Sequence, residues 1–253
     1  MAFSPKDNFS KKSDCYARYR PGYPQQLFDF ILDQVEKNDL ALDCGTGNGQ
    51  AATVLSNYFK KVYAIDISSN QIENAPRKQN IEYLICEAEQ TPFPEETFDL
   101  ITVAIAIHWF HFDTFYPEMQ RIARNNCVFA CWGYNLLYTD NKDFNELLKA
   151  FYSETLNGYW DHERRFVEQN YQTIPFPFEE IKNPGFEHTV QWSLFQIEGY
   201  LGTWSAVHNY LRKNGSDPVS EFIQIVIKRM APSTVLSVTF PIFMRIGKIF
   251  KKL

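Results

Sequence analysis

Leu40-Ala41-Leu42-Asp43-Cys44-Gly45-Thr46-Gly47-Asn48-Gly49 is the stretch from which the fold of this 253-residue chain can be read. Three apolar residues end in an acid, and three glycines spaced one residue apart follow. An apolar run without alternation suits a strand covered on both faces, and glycines at its carboxyl end suit a tight turn into a helix. Outward from this stretch the same unit repeats. A helix is expected near 49–58, a strand at Val62 to Ile67, a helix from Ser69 to about Asn74 that Pro76 helps close, and a strand from Ile81 to Cys86. After the turn-rich Thr91-Pro92-Phe93-Pro94 come a strand from Phe98 to Ala104, a helix near 113–123 and a strand from Cys127 to Trp132. Strands separated by helices in this way predict an α/β fold with a doubly wound, mostly parallel sheet.

The flanks read differently. Residues 1–20 are polar and aperiodic, and Pro21-Gly22-Tyr23-Pro24 forces extended or turned backbone before an amphipathic helix marked by Leu27, Phe28, Ile31 and Val35. Past residue 140 longer helical patterns take over, with strands expected at His188 to Leu194 and Val235 to Ile246. The segment between them, about 195–230, is expected to be a helical cap inserted between two antiparallel edge strands. We therefore expect one domain, 1–253, divided into an N-terminal lid (1–25), a cofactor-binding core (26–135) and edge strands with the cap (136–253).

Composition narrows the function classes. The 45% hydrophobic and 22% charged content is that of a globular protein, and the 16% aromatic content is high enough to suit an apolar ligand pocket as well as a core. A net charge of −5 lacks the basic balance of a chain held by phosphate backbones, so no nucleic-acid partner is expected. Cysteines at 15, 44, 86, 127 and 131 form no Cys-x-x-Cys pair and have no His at zinc-ligand spacing, so we expect reduced thiols and no metal site. No run of about 18 apolar residues occurs, so no membrane span and a cytoplasmic location are expected. Arg245, Lys248, Lys251 and Lys252, interleaved with apolar residues, read as a solvated strand end, with a membrane-touching tail as the alternative.

In an open parallel sheet, ligands bind at the carboxyl ends of the strands, where Asp43 and its glycines lie. Gly45, Gly47 and Gly49 let a ligand approach the main chain, and the following helix offers free N–H groups. A dinucleotide fingerprint needs G-x-G-x-x-G, whereas position 50 here is Gln and the spacing is G-x-G-x-G. An acid before the first glycine opposes a pyrophosphate and suits a cationic sulfonium and ammonium. Asp66, at the end of the second strand, can accept both hydroxyls of a ribose. Glu87 can accept from an adenine amino group while the Ala88 N–H meets a ring nitrogen.

The ordered series Asp43 to Gly49, Asp66, and Glu87-Ala88-Glu89-Gln90-Thr91-Pro92-Phe93 resembles the class I methyltransferases that use S-adenosylmethionine, specifically the small-molecule, type 11 branch. The N-terminal Tyr16-Ala17-Arg18-Tyr19-Arg20-Pro21-Gly22-Tyr23-Pro24, the His108-Trp109 pair and Thr203-Trp204-Ser205 are similar to the trans-aconitate-type subgroup. The resemblance implies a seven-stranded sheet of order 3-2-1-4-5-7-6 and S-adenosyl-L-methionine bound by Asp43, Gly45, Thr46, Gly47, Gly49, Asp66, Ile67, Glu87, Ala88 and Ala104. Two departures stand out: the loop reads Cys-Gly-Thr-Gly-Asn-Gly rather than Gly-Cys-Gly-Thr-Gly, and Glu87 replaces the commoner Asp.

The acceptor side is expected at the end of the fourth strand. Ala104-Ile105-Ala106-Ile107-His108-Trp109-Phe110 lacks the Asn/Asp-Pro-Pro-Tyr of enzymes that methylate planar amino groups. His108, the catalytic candidate, reads as a general base for a hydroxyl, as a donor to a carboxylate, or as a structural histidine. In the resembling enzymes the N-terminal segment folds over the cofactor, which makes Tyr16 and Arg20 substrate-side candidates, Arg20 by pairing with a carboxylate. Trp109, Trp204 and His208 complete that set, although Trp204, His208 and Leu211 share a helix face that equally suits packing. The reading is an O-methyltransferase of a small carboxylate or hydroxyl compound, monomeric or homodimeric. A non-catalytic S-adenosylmethionine-binding or partner-binding protein and an NAD oxidoreductase are the alternatives.

Overall fold

A computed structural model describes residues 19–251. Helix α1 (Gln25–Leu32) starts directly after Pro24 and buries Leu27, Phe28 and Ile31. Then follow β1 (Leu40–Cys44), α2 (Gln50–Leu55), β2 (Lys61–Asp66), α3 (Ser69–Glu73), β3 (Ile81–Ile85), β4 (Phe98–Ala104), a 3-10 turn (Ile107–Trp109), α4 (Phe112–Ile122) and β5 (Ala123–Tyr134). The second half comprises β6 (Tyr138–Thr139), α5 (Lys142–Ala150) running into a π-helical turn (Phe151–Thr155), α6 (Arg164–Glu168), β7 (Glu179–Ile181) and β8 (Phe186–Ser193). Helices α7 (Leu194–Leu201), α8 (Ser205–Asn214) and α9 (Pro218–Val226) lead into β9 (Val235–Ile249).

The sheet runs β3-β2-β1-β4-β5-β9-β6, with β7 and β8 also on β9. Strands β1 to β5 are parallel, and β9 pairs antiparallel with β5 on one side and with β7 and β8 on the other. The last strand thus lies between the fifth and the penultimate one, as expected. The described residues form nine strands rather than seven, because the 15-residue β9 outruns its neighbours and recruits the short β6 and β7 along its free length.

Alternate residues of each inner strand enter two separate cores, which is why the strands read as continuous apolar runs. Ala41, Val62, Leu100, Ala130 and Trp132 pack with α1, α2 and the helices before β9. Leu42, Ile65, Ile101, Val103 and Phe129 pack with α4 and with the segment around Tyr171. Fully buried rings such as Trp132 and Phe129 each contribute about 2–3 kcal/mol.

Local signals set the ends of the last three helices. Ser193 and Gln196 form a capping box at the start of α7. Gly215 closes α8 in the left-handed region, and Asp217 caps α9 with Pro218 at its first turn. Arg245 departs from the expected solvated strand end. It is buried within β9, pairs through Nε and Nη2 with both Glu180 carboxylate oxygens at 2.8 and 2.7 Å, and donates from Nη1 to the carbonyls of Tyr171 and Ile174. Lys252 lies outside the described residues. Among those residues no helix is long and apolar enough to cross a membrane.

Candidate active site

The parallel register sets Asp43 beside Ala64 of β2 and Thr102 of β4, so the ends of three strands open on one cavity. The chain leaves β1 through Gly45 at φ +62°, where an added Cβ would lie 2.5 Å from the Ala106 Cβ. Only glycine accepts both that backbone angle and that approach. The Thr46 N–H donates to the Ile65 carbonyl at 2.9 Å, and the Gly47 N–H to Asp66 Oδ2 at 2.8 Å, so the second strand fixes the loop of the first. Asp66 Oδ1 accepts from the Ser68 N–H at 2.9 Å. Its carboxylate is thereby held in the cavity wall.

Asp43 is placed differently from its expected role. It is fully buried and outside the cavity wall, and its two oxygens accept from Thr46 Oγ1 at 2.6 Å and Thr102 Oγ1 at 2.7 Å. Burial raises its pKa to about 6 against the lowering effect of those two hydroxyls. It anchors the loop from behind. Thr46 is likewise buried behind the wall. Gly49, at φ +78°, has an added Cβ position 2.5 Å from Tyr83 Oη, so its missing side chain serves packing outside the cavity.

Gly45, Gly47, Asp66, Ile67, Ala88 and Ala104 do line the cavity. Glu87 does not: it is exposed, and Glu89 is the acid that reaches the wall, its Oε1 accepting the His111 N–H at 2.8 Å. Gln71 joins them without having been foreseen. It is 3% exposed, and its buried Oε1 has no hydrogen-bond partner among the described residues. That oxygen lies 3.9 Å from where a Gly47 Cβ would stand. An unpaired buried acceptor beside Asp66 suits a ligand rich in hydroxyl or amino donors. The acid, the apolar edges of Ile67 and Ala88, and the bare glycine backbone therefore fit S-adenosylmethionine.

The other side of the cavity begins where β4 ends. Ile105 adopts φ +54°, a left-handed conformation that costs a β-branched residue about 1–3 kcal/mol, while its N–H reaches the Trp132 carbonyl at 2.8 Å. This reversal sends the chain into the short turn that carries His108 and Trp109 into the wall. His108 Nδ1 lies 2.9 Å from Tyr171 Oη. Burial, with the nearby Arg164, lowers its pKa to about 3, so the imidazole is neutral at physiological pH.

Arg20 enters the wall with Nη1 donating to Tyr134 Oη at 2.8 Å, Nη2 to the Thr203 carbonyl at 3.3 Å, and its guanidinium 5.5 Å from the Tyr200 ring centroid. Arg164 faces the same space. Its Nε donates to Tyr152 Oη at 3.1 Å, its guanidinium lies 5.0 Å from the Trp160 centroid, and no carboxylate pairs with it among the described residues. Trp204 lines the cavity and packs on Trp160 at 5.4 Å. His208 lies outside the wall, its Nε2 set 2.9 Å from the Gly202 carbonyl and so joining α8 to the end of α7. Tyr16 lies outside the described residues.

Sequence reasoning missed Arg164, Asp161, Trp160, Tyr171 and Tyr200. Residues 159–166 are dense in aromatic and charged side chains, yet they carry no periodicity that would aim them at strand ends more than fifty residues away in the chain. The described residues contain no group of three or more His, Cys, Asp or Glu able to hold a metal ion.

A family model described as a methyltransferase domain matches residues 42–131, the stretch from β1 through most of β5. A methyltransferase of Dictyostelium discoideum is 34% identical over 96% of this chain and 95% of its own length. A Saccharomyces cerevisiae protein described as an S-adenosylmethionine-dependent methyltransferase is 26% identical over 85% of this chain and 87% of its own. Among solved structures, one described as a type II methyltransferase from Anaeromyxobacter dehalogenans superposes with a TM-score of 0.84 at 37% identity, covering 92% of this chain and 100% of that one.

Proposed function

The chain belongs to the class I S-adenosylmethionine-dependent methyltransferases, and on that premise we propose that its acceptor is a small carboxylic acid, converted to its methyl ester. The observation that carries this reading is Arg164, a cation in the cavity wall with no carboxylate partner among the described residues, beside a neutral His108. An anionic acceptor supplies the missing charge.

Bound S-adenosylmethionine supplies a methyl group on a cationic sulfonium. A carboxylate acceptor would take that methyl on oxygen with the C–S electron pair left on sulfur, so no proton would have to move. Such an acceptor needs orientation and a dry site rather than a base. His108 suits this role: a group with a pKa near 3 is a poor proton acceptor, but a neutral imidazole can donate from Nε2. On this reading Asp66, Ile67, Gln71, Ala88, Ala104 and the Gly45 and Gly47 backbone hold the cofactor, while Asp43, Thr46 and Gly49 shape the loop. Arg164, His108, Trp109, Trp204 and Arg20 hold the acceptor, roofed by the helices between β8 and β9. Free thiols at Cys44, Cys86, Cys127 and Cys131 suit the expected cytoplasmic location.

The test is a panel of small carboxylic acids and matched hydroxyl compounds incubated with labelled S-adenosylmethionine, with products treated with mild alkali. Esters release their label and ethers keep it. Alkali-stable products from hydroxyl compounds, with the acids inert, would establish the second reading, in which His108 takes the hydroxyl proton.

A further inference from the structure

Asp161 and Arg164 stand three residues apart where the chain enters α6, and the Arg164 N–H donates to the Asp161 carbonyl at 3.0 Å. Opposite charges three residues apart can pair when both lie on one helical turn. Here they do not: the Arg164 Nε donates to Tyr152 Oη and the buried Asp161 Oδ2 has no partner among the described residues, although both residues line the same cavity. The Arg164 guanidinium is held instead by Tyr152 Oη and by the faces of Trp160 and Tyr152, 5.0 and 5.7 Å from the ring centroids. Asp161 is left with a buried Oδ2 that accepts no hydrogen bond from any described residue. A carboxylate oxygen withdrawn from water without a donor is costly, and a donor on a ligand in the cavity would relieve that cost.

We infer that the acceptor is bipolar: its carboxylate pairs with Arg164, and a second group on the same molecule, a hydroxyl or an ammonium, donates to Asp161. The aromatic shelf of Trp160 and Tyr152 keeps the two side chains from neutralising each other, so the site is completed by a ligand bearing both complements. This rests on the carboxylate reading and sharpens it to hydroxy- or amino-substituted acids. Both donors share one chemistry, and substitution at Asp161 separates them. Asparagine keeps a hydrogen-bond acceptor without charge, and alanine keeps neither.

The experiment uses the full chain with saturating S-adenosylmethionine and two matched sets, succinate, malate and aspartate, then glutarate, 2-hydroxyglutarate and glutamate. Methyl ester formation is followed by mass spectrometry, and binding by calorimetry to the complex with S-adenosylhomocysteine. The expected result is a kcat/KM at least about 10-fold higher for a substituted acid than for its unsubstituted partner, the worth of one good charge-assisted hydrogen bond. Asp161→Ala removes that preference. Asp161→Asn removes it for an ammonium and largely keeps it for a hydroxyl. Unchanged S-adenosylhomocysteine affinity in both variants verifies the fold. Equal turnover of substituted and unsubstituted acids, or a preference that survives in Asp161→Ala, overturns the inference and leaves Asp161 facing a water only. Failure of every acid to bind or react overturns the carboxylate reading itself.

Discussion

The glycine loop and the acceptor wall face each other across one cavity and are built in opposite ways. The loop side comes mainly from one stretch of chain, Gly45 to Gln71, joined by Ala88 and Ala104, and its geometry is set by backbone: a positive φ at Gly45, the Thr46 N–H on Ile65, and the Gly47 N–H on Asp66. The opposite wall, where we propose that the acceptor binds, draws Arg20, His108, Arg164 and Trp204 from four separate segments and presents side chains rather than backbone. A cofactor common to many enzymes can be held by a strand-turn-helix unit. An individual acceptor has to be met by whatever the later elements carry to the strand ends. It follows that the two sides should be separable by mutation.

The largest effect expected on the acceptor side alone is that of Arg164→Gln. Loss of one partner of a desolvated charge pair costs about 2–5 kcal/mol, so acceptor kcat/KM should fall about 30-fold or more. S-adenosylhomocysteine affinity by calorimetry should stay within about 2-fold. Comparable losses of both would break the division. Gly45→Ala tests the other side: left-handed strain and a clash with Ala106 should cost about 2–4 kcal/mol in urea unfolding and weaken cofactor binding. A variant that kept wild-type stability and affinity would mean that the loop is not shaped by its backbone.

Tyr171→Phe should be milder. It removes the hydroxyl beside His108 Nδ1 and leaves the ring packed on Phe243, so acceptor KM is expected to rise about 10-fold with cofactor affinity unchanged. A KM equal to that of wild type would show that the phenol does not orient the imidazole.

The smallest effect concerns pH. The folded pKa of His108, about 3, lies below its usual 6.5, so in this range the unfolded chain binds more protons than the folded one. Its contribution to stability is full above pH 6.5 and is lost as pH falls through about 3, with a slope of at most about 1.4 kcal/mol per pH unit. Asp43 runs oppositely. Its folded pKa of about 6 exceeds the usual 3.8, so its contribution is full below 3.8 and lost as pH rises through about 6. Urea titrations of His108→Gln should therefore lose part of the acid destabilisation seen in wild type. Any wild-type kcat/KM titration near pH 6 should belong to Asp43 and persist in His108→Gln, whereas one that His108→Gln abolishes would reinstate His108 as a base.

Much of the first side was legible before any coordinates. Strands β1 to β5, their order, and the placement of Gly45, Gly47, Asp66, Ile67, Ala88 and Ala104 on the cavity followed from periodicity, glycine spacing and the resemblance together. Errors arose where a motif position shows that a residue belongs to the loop but not which way its side chain points. Asp43 turns inward to Thr46 and Thr102, Glu87 is exposed outside the cavity wall, and Glu89 rather than Glu87 lines it. The helix-face argument for Trp204 and His208 split in the same way, because one ring reaches the cavity and the other bonds the Gly202 carbonyl. Arg245 was read from neighbouring charges in sequence, while its actual neighbours, Glu180 and Tyr171, come from the opposite edge of β9.

What the sequence by itself determined is the scaffold and the methyl donor, because both depend on short-range rules: alternation within strands, turns that only glycine allows, and acids at fixed distances along one βαβ unit. What only the tertiary structure decided is the composition of the wall facing the loop, where we propose that the acceptor binds. There Arg164 and Asp161 stand unpaired beside a neutral His108, since burial, partner choice and charge state are set by contacts between segments far apart in the chain.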